Sequence, residues 1–384
     1  MALDSETFDQ LNATITRFID ERLKPREAEV AENDSMPPEI VDEMRELGLF
    51  GLSIPEEYGG IGLNVEEEVR IICALGHTSP AFRSVVGTNN GIGSQGIVID
   101  GTEEQKKKYL PKLATGEIIG SFALTEPDAG SDAASVRTSA RMDGNEYVLN
   151  GTKRFITNAP SADLFTVMAR TDPENKGAGG ISAFLVEADN PGIKLGAPEK
   201  KMGQHGAHVC DVVFEDCRIP ADTIIGGKEG QGFKTAMKVL DRGRLTISGM
   251  CVGNAERLIG DCLKYATERK QFGKPIADFQ LVQAMLADCE VEAHAAKALV
   301  LDAARRMDAG EKITKLGAIC KYYCSEMVGR VADRAVQIFG GAGYIEEYGI
   351  ERFYRDVRLY RLYEGTSQIQ QLIIAREMIK EATQ

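Results

Sequence analysis

Ile181-Ser-Ala-Phe-Leu-Val186 is one of several short β-favouring runs in the middle of this 384-residue chain. Tyr147-Val-Leu149, Phe165-Thr-Val-Met168 and Val212-Val-Phe214 have the same character, and Gly, Asn, Asp and Pro separate them. Runs rich in branched and aromatic residues between turn residues predict strands. These runs decide the fold class, because they predict a compact antiparallel β domain over residues 119–228.

Apolar residues recur at helical spacing on both sides of this β region, as Leu11, Ile15 and Phe18 do near the N-terminus. Long helical segments near 230–267, 279–309 and 313–339 follow the β region, and the short connections between them predict an antiparallel bundle. The predicted fold class is therefore α+β and mainly α. The predicted domains are a helical N-terminal domain at 1–118, the β middle domain at 119–228 and a C-terminal helical bundle at 229–384.

The composition is that of a soluble globular protein, with 43% hydrophobic and 27% charged residues. A formal net charge of -13 argues against a nucleic-acid-binding protein, because phosphate affinity depends on clustered Lys and Arg. No run is apolar enough to span a membrane, and the acidic N-terminus does not resemble a secretory signal. The eight cysteines form no Cys-x-x-Cys pair, which is typical of reduced thiols in a cytoplasmic protein, or in a mitochondrial-matrix-like one after removal of a transit segment. No metal site is expected.

A Gly-x-Gly-x-x-Gly string occurs at Gly91, Gly93 and Gly96. It has neither the preceding strand nor the following acidic residue that a βαβ dinucleotide-binding unit requires. We therefore interpret it as a site of close helix packing.

One carboxylate near the C-terminus is a candidate for catalysis. In Arg355-Asp-Val-Arg-Leu-Tyr-Arg-Leu-Tyr-Glu-Gly-Thr-Ser-Gln-Ile-Gln-Gln-Leu372, Glu364 precedes Gly365 and Thr366, and an apolar helix over 369–379 follows. Thr366 can cap this helix and Gly365 permits a sharp turn, so Glu364 is predicted to lie at a helix N-terminus. A buried carboxylate there can act as a general base, whereas an exposed one only interacts with the helix dipole.

Five separated motifs together resemble the acyl-CoA dehydrogenase family over essentially the whole chain. They are Leu124-Thr-Glu-Pro-Asp-Ala-Gly-Ser131, Gly151-Thr-Lys-Arg-Phe-Ile-Thr157, Glu268-Arg-Lys-Gln-Phe-Gly273, Gln337-Ile-Phe-Gly-Gly341 and Tyr363-Glu-Gly-Thr-Ser-Gln368. The resemblance implies a helical N-terminal domain, a β middle domain and a C-terminal four-helix bundle. It also implies non-covalently bound FAD, an acyl-CoA substrate and a homotetramer built as a dimer of dimers.

The resemblance also assigns binding residues. The flavin ring would be lined by Phe122, Leu124, Thr125, Phe155 and Thr157. Arg269, Phe272 and Gln280 would reach the FAD of a neighbouring subunit. Gln337, Gly340 and Gly341 would contact the FAD from the same side. Thr366 and Gln368 would also contact the cofactor. Ser131, Asp241 and Arg244 match positions that contact the CoA portion of the substrate, and Gly365 is assigned to substrate binding beside Glu364.

The resemblance gives Glu364 a role. It would remove the α-proton of an acyl thioester while the β-hydrogen leaves as hydride to flavin N5, which gives a trans-2-enoyl-CoA. The family's backbone N–H at this Glu and a flavin ribityl hydroxyl bind the thioester carbonyl. Some relatives carry the base on a bundle helix instead, just before the residue that Arg244 matches, but Gly243 stands there and cannot act as a base. Glu364 is therefore the family-type candidate, and Gly243 leaves room in the acyl pocket.

Arg83 bears on the substrate. In Ala81-Phe-Arg-Ser84 it falls where glutaryl-CoA dehydrogenases have an Arg that binds the distal carboxylate of the substrate. In an apolar tunnel such an Arg favours an acidic acyl group. A surface Arg paired with a nearby acid is the other interpretation, and both stay open at this point.

Three alternatives accompany the predicted dehydrogenase, whose electrons would pass to an electron-transfer flavoprotein. A desulfinase of a sulfinoacyl-CoA has the same fold, but that branch lacks the catalytic Glu. An acyl-CoA oxidase generally carries a further C-terminal domain, for which the chain has no room. A non-catalytic FAD-binding assembly factor has no need to keep both Glu364 and the flavin contacts.

Overall fold

The computed structural model describes residues 3–383, so the outermost limits of the first and third predicted domains lie outside the described residues. The N-terminal part is helical, and π-helical turns extend it at Ile19–Leu23 and Asn89–Gly93. Side chains of Asn64 and Thr102 form capping boxes that begin the fourth and seventh helices. These helices are α1 Ser5–Phe18, α2 Glu27–Asn33, α3 Pro38–Glu46, α4 Val65–Leu75, α5 Pro80–Thr88, α6 Gln95–Asp100 and α7 Glu103–Thr115.

A seven-stranded sheet forms the middle part, in the order β1-β4-β2-β3-β7-β6, with β5 paired to β4. Each of the four β-favouring runs lies in one of its strands, so the predicted β middle domain is confirmed. The strands are β1 Gly120–Ala123, β2 Ser139–Asp143, β3 Glu146–Thr157, β4 Leu164–Arg170, β5 Ile181–Glu187, β6 Ile193–Leu195 and β7 Val209–Pro220.

The sheet is mixed, which corrects the expectation of a wholly antiparallel one. β1 runs parallel to β4, and β2 also pairs in parallel with β4 at its end. Parallel neighbours need a long connection. The segment 124–163, which carries β2 and β3, supplies that connection between β1 and β4.

Long helices return after the sheet, and the predicted C-terminal helical domain is confirmed. The predicted segments near 230–267, 279–309 and 313–339 agree with the observed helices to within two residues. The Thr366 side chain caps the last helix by accepting a hydrogen bond from Ile369 N, as predicted. The elements are α8 Gly232–Glu268, β8 Lys270–Gln271, β9 Lys274–Pro275, α9 Gln280–Asp308, α10 Thr314–Phe339, α11 Ile350–Val357 and α12 Ser367–Ala382.

One hydrophobic core joins the N-terminal helices to the C-terminal bundle. Ile71 of α4, Leu258 of α8 and Val331 of α10 are all buried in it. Helices α4 and α8 touch through glycines, because a Cβ on Gly253 would lie 2.0 Å from the Cys73 carbonyl oxygen. The sheet has a separate core that contains Phe165, Phe184 and Phe214 among others.

The predicted domain limits stay predictions, and they fall in the loops between α7 and β1 and between β7 and α8. The interpretation of the glycine string as close helix packing is wrong for two of its three glycines, because a Cβ on Gly91 would meet no atom within 4 Å and one on Gly96 would make only ordinary contacts. Gly93 is closely packed, since a Cβ on it would lie 2.9 Å from the backbone of Gly120, the first residue of β1. In the part of the chain that the structure describes, none of the helices combines the length and hydrophobicity needed to cross a bilayer.

Candidate active site

A cavity of about 370 Å³ lies where α5, the sheet, α8 and the segment before α12 meet. It brings together residues that are far apart in sequence and that the motifs singled out. The predicted site residues that line it are Arg83, Phe122, Leu124, Thr125, Ser131, Phe155, Thr157, Arg244, Glu364 and Gly365. Concave sites with a mostly apolar lining and few polar groups are typical of ligand and cofactor sites.

Glu364 reaches this cavity through an unusual backbone turn. Its φ is +53° and that of Gly365 is +88°, so two successive residues are in the left-handed region. Such a φ is rare for a residue with a side chain, and it persists only where the surroundings hold it. The turn is held by Gln370, whose Nε2 donates to the carbonyl oxygens of Glu364 and Gly365, at 3.1 Å each.

The Glu364 carboxylate lies directly over Gly243 of α8. A Cβ at position 243 would be 2.7 Å from Glu364 Oε2, which is closer than a carbon and an oxygen can approach. The room that Gly243 was predicted to leave is therefore occupied by the carboxylate of Glu364. The glycine and the glutamate fit each other across 121 positions of sequence.

Three cations influence this carboxylate, although none of them is within ion-pair distance of it. Burial raises the pKa of Glu364 above its usual value, and Arg83, Lys321 and Arg244 partly offset this effect. Lys321 is itself fully buried, and burial lowers its pKa to about 8. Because its pKa is raised, this carboxyl group binds a proton more readily than an exposed carboxyl group does.

Four buried polar atoms of residues that line this cavity form no hydrogen bond with any described residue. They are Arg83 Nε, Lys201 Nζ, Arg244 Nε and Glu364 Oε2. Buried polar groups are nearly always hydrogen-bonded, so atoms left without a partner beside one cavity indicate that a polar ligand completes the site.

Arg83 faces the cavity. Its guanidinium lies against Gly87 on the next turn of α5, and its Nη2 is 3.3 Å from Thr246 Oγ1 on α8. In residues 3–383, no carboxylate is within ion-pair distance of it, so the interpretation as a surface Arg paired with an acid does not fit.

The wall opposite α8 has the chemistry that a flavin ring needs. Phe155 is 58% exposed at a bulge of β3, where its φ is +57° and the pairing with β7 shifts register. Phe122 and Leu124 add apolar surface, and Thr125 and Thr157 add polar groups. A flat ring with polar edges fits an aromatic and hydroxyl-bearing wall of this kind, so the residues present fit FAD.

A buried ion pair fixes this wall. Lys153 of β3 has no exposed surface, and its Nζ is 2.8 Å from Glu126 Oε1 and 3.0 Å from the Leu124 carbonyl oxygen. Glu126 also accepts hydrogen bonds from the Arg137 and Thr138 backbone N–H groups. The loop after β1 is thereby tied to β3 at the point where both face the cavity.

The predicted CoA-contacting residues differ in their placement. Ser131 is exposed at the rim of the cavity, and Arg244 is buried in its wall. Asp241 does not line the cavity; its carboxylate binds Arg244 Nη1 at 2.5 Å and Thr314 Oγ1 at 2.9 Å. Asp241 therefore orients Arg244 in this chain.

The other predicted cofactor residues lie outside the cavity. Thr366 caps α12, and the remaining positions are exposed on the C-terminal bundle and its loops. Phe272 is 94% exposed, with a φ of +51°. The exposed positions are Arg269, Phe272, Gln280, Gln337, Gly340, Gly341 and Gln368.

Sequence reasoning missed several residues of the site. Gln204 and Tyr363 line the cavity, Gln370 holds the Glu364 turn, and Lys321 binds the Gly365 carbonyl. A signal was present for Lys321, because it shares a helical face with Gly317, Cys320, Cys324 and Val328, which are all buried. A lone Lys at such spacing indicates a buried cation.

Family models agree with this geometry over nearly the whole chain. The N-terminal domain of acyl-CoA dehydrogenases matches residues 5–117, the middle domain matches 121–217 and the C-terminal domain matches 230–379. The chain belongs to the acyl-CoA dehydrogenase family. The resemblance inferred from the motifs is thus confirmed, and with it, at the level of the family, an FAD-dependent oxidoreductase.

Curated relatives in this family include reductases. The chain is 43% identical to the acryloyl-CoA reductase (NADH) of Anaerotignum propionicum, over 97% of this chain and 94% of the relative. It is 42% identical to the 3-(aryl)acrylate reductase of Clostridium sporogenes, over 94% and 96%. It is also 42% identical to the CarC subunit of the caffeyl-CoA reductase-Etf complex of Acetobacterium woodii, over 92% and 93%.

Solved structures of the family superpose closely. Butyryl-CoA dehydrogenase from Megasphaera elsdenii has a TM-score of 0.94 at 35% identity, covering 99% of this chain and all of its own. A glutaryl-CoA dehydrogenase in complex with glutaryl-CoA has a TM-score of 0.93 at 35% identity, covering 99% and 96%.

Proposed function

We propose that this protein transfers hydrogen between the α and β carbons of an acyl-CoA and FAD, with Glu364 moving the α-proton. The observation that carries the proposal is the position of the Glu364 carboxylate. Its Oε2 atom is buried over Gly243 and forms no hydrogen bond with described residues. Glu364 lines the same cavity as the aromatic and hydroxyl-bearing residues of the proposed flavin wall. A base without a competing partner is available for a proton of the substrate.

The backbone prepares the substrate for this proton transfer. In the described part of the chain, the Glu364 N–H donates to no acceptor, so it is free to bind the thioester carbonyl. A donor aimed at that oxygen stabilises the negative charge that develops when the α-proton leaves. Bound FAD supplies the acceptor for the β-hydrogen as hydride, and the product is a trans-2-enoyl-CoA.

The same residues also suit the reverse reaction, the reduction of a 2-enoyl-CoA. The relatives favour this reduction as a second candidate function. Three relatives at 42–43% identity are reductases, two of them named for CoA thioesters of unsaturated acids. In reduction, protonated Glu364 would donate its proton to the α-carbon of a 2-enoyl-CoA. The direction of the reaction is then set by the reduction potentials of the enoyl-CoA/acyl-CoA couple and of the electron carrier.

Arg83 favours an acyl group with a polar or acidic end. It faces the cavity with a buried Nε that lacks a hydrogen-bond partner, and the Glu364 charge that acts on it is not within ion-pair distance. A ligand carboxylate that pairs with this guanidinium would offset the cost of burying it. The glutaryl-CoA dehydrogenase complex has a closely similar fold. A dicarboxylyl-CoA is therefore the proposed substrate class. A desulfinase of a sulfinoacyl-CoA is the alternative for the same Arg.

The partners follow from the exposed residues and the relatives. The exposed Phe272 and Arg269 would meet FAD from a neighbouring subunit, which requires at least a dimer and agrees with the proposed homotetramer built as a dimer of dimers. The CarC relative is a subunit of an Etf complex, which supports an electron-transfer flavoprotein as the partner in electron transfer. We propose a cytoplasmic location for this exchange.

A panel of thioesters tests the proposal. Under anaerobic conditions, glutaryl-, succinyl- and butyryl-CoA are added to the oxidised protein, and 2-enoyl-CoAs to the reduced protein, while flavin absorbance is followed. We expect bleaching or reoxidation, with a preference for acidic chains that Arg83→Ala removes and Arg83→Lys partly keeps. Sulfite release without bleaching would identify a desulfinase. An unchanged ranking in Arg83→Ala would reject the acidic substrate class.

A further inference from the structure

Lys321 is a buried cation that the proposed reaction does not use directly. It lies on α10 with no exposed surface, among Cys320, Cys324 and Val328. Burying a Lys is costly, so a chain keeps one where its charge or its hydrogen bonds have a use.

The ammonium group of Lys321 binds the turn that carries the base. Its Nζ is 2.6 Å from the Gly365 carbonyl oxygen. Gln370 Nε2 donates to the same oxygen and to that of Glu364, at 3.1 Å each. The carbonyl groups of Glu364 and Gly365 therefore accept hydrogen bonds from donors on α10 and α12.

These contacts explain how a strained turn is kept. Glu364 and Gly365 both have positive φ values, which Glu adopts rarely. While donors on α10 and α12 hold its carbonyl group and that of Gly365, Glu364 lines the cavity. Loss of a donor would let the turn relax and move the carboxylate away from its place over Gly243.

We propose that Lys321 is a positioning residue for Glu364: it holds the Glu364–Gly365 turn through the Gly365 carbonyl and keeps a positive charge beside the carboxylate. This inference deepens the proposed function and rests on it. Lys321 is not among the residues that line the cavity, so its effect on the reaction would pass through Glu364.

The charged groups around Glu364 and Lys321 determine how removal of the Lys321 charge shifts the pKa of Glu364. Arg83 on α5, Arg244 on α8 and Lys321 on α10 act on Glu364, and all lower its pKa against the effect of burial. Lys321 in turn is influenced by Glu364, Cys251, Arg244 and Glu326. Removing the Lys321 charge leaves two of the three cations, so the pKa of Glu364 rises further.

The test isolates proton removal from hydride transfer. The holoenzyme is reduced beforehand, so that an acyl-CoA cannot be oxidised, and deuterium uptake at its α-carbon is followed in D2O. For Lys321→Met we expect exchange about 10- to 100-fold slower than in the wild type, because small displacements of a reacting group cost this much. The pH midpoint of exchange should move upward, and substrate binding and FAD content should change little.

Gln370→Met provides a second variant, because it removes the other donor to the Gly365 carbonyl without removing a charge. We expect slower exchange with an unchanged pH midpoint, and a non-additive effect in the double variant, since both donors hold one oxygen. This variant keeps the proposal testable if Lys321→Met does not fold. Lys297→Met removes a bundle Lys that pairs with Glu256 far from Glu364, and should leave exchange unchanged.

Wild-type exchange rates and pH midpoints in both Lys321→Met and Gln370→Met would overturn the positioning role. Glu364→Gln separates this outcome from failure of the proposed function. If Glu364→Gln abolishes exchange and Lys321→Met does not affect it, only the role of Lys321 is lost. If Glu364→Gln exchanges at the wild-type rate, the proposed base itself is wrong, and the inference about Lys321 falls with it.

Discussion

Gly243 and Glu364 form a matched pair, since the absent side chain of one makes room for the carboxylate of the other. Gly243→Ala should therefore push Glu364 aside by several tenths of an ångström or more. We expect a loss of activity of roughly 10- to 100-fold, because misplacement of about 1 Å can cost this much. Steady-state kinetics with the best thioester measures it.

Gly260→Ala is the matched control for this substitution. It lies on the same helix, and a Cβ there meets no atom within 4 Å. We expect it to keep full activity, because Ala favours the helix and nothing is displaced. Equal activity in the two variants would show that the contact between Gly243 and Glu364 does not matter for catalysis.

The raised pKa of Glu364 gives a directional pH dependence. Burial moves its pKa above the ordinary value of 4.5. Dehydrogenation needs the ionised carboxylate in the free enzyme, so kcat/KM should rise with pH through this raised pKa. Reduction of an enoyl-CoA needs the protonated form, so its rate should fall as pH rises. Profiles measured in both directions that rise together would contradict a single acid-base group.

At the residue scale, local sequence predicts that Glu364 lies at a helix N-terminus, because Gly365 and the cap Thr366 are its neighbours. The resemblance to the acyl-CoA dehydrogenase family, and not this local pattern, gives Glu364 its proposed role as the base. Lys321 and Gly243 come to Glu364 through tertiary packing, which local periodicity does not encode. The orientation of Arg83 was open for the same reason, because it depends on how α5 packs against α8.

At the level of secondary-structure elements, the main stabilising contact beside the cavity is the buried ion pair of Lys153 and Glu126. It joins the loop after β1 to β3, and both side chains are almost without solvent exposure. Lys153→Met would leave Glu126 buried with backbone donors alone. Breaking a buried pair in this way costs about 3–5 kcal/mol, so we expect the free energy of unfolding in denaturant to fall by about that amount.

Lys194→Met tests whether burial of the ion pair causes the loss of stability expected for Lys153→Met. Its partner is Glu215, and both side chains are more than half exposed. An exposed pair contributes about 0–1 kcal/mol, so this variant should unfold nearly as the wild type does. A similar loss of stability in both variants would refute the importance of the buried pair.

Helices and strands differ in how well the sequence predicts them. Helix limits in the bundle agree with the periodic segments because the helical hydrogen bonds and periodicity are local. The parallel pairing of β1 with β4 was missed, since Gly120-Ser-Phe-Ala123 is too short to signal a strand. Pairing between strands that are far apart in sequence depends on the whole sheet.

The whole molecule leaves large apolar side chains exposed on its C-terminal bundle. Phe272 is 94% exposed and Leu281 is 82% exposed. Such side chains are typical of an interface. We expect sedimentation at four times the chain mass of 41.8 kDa, and loss of FAD in Phe272→Ser during gel filtration.

Met142→Ser is the control for this assembly, because Met142 is a half-exposed apolar residue on the sheet, away from the bundle. It should keep both the assembly and its FAD. A monomeric wild type that retains FAD would contradict the proposed arrangement, in which a neighbouring subunit completes the cofactor site.

The central claim concerns one proton. The most direct measurement is deuterium uptake at the α-carbon of a bound acyl-CoA by the reduced holoenzyme in D2O, with wild type and Glu364→Gln compared. We expect Glu364→Gln to be slower by about 10²- to 10⁴-fold, the usual contribution of a positioned general base, while it keeps its FAD and its affinity for the thioester. Exchange at the wild-type rate in Glu364→Gln would show that another group removes the proton.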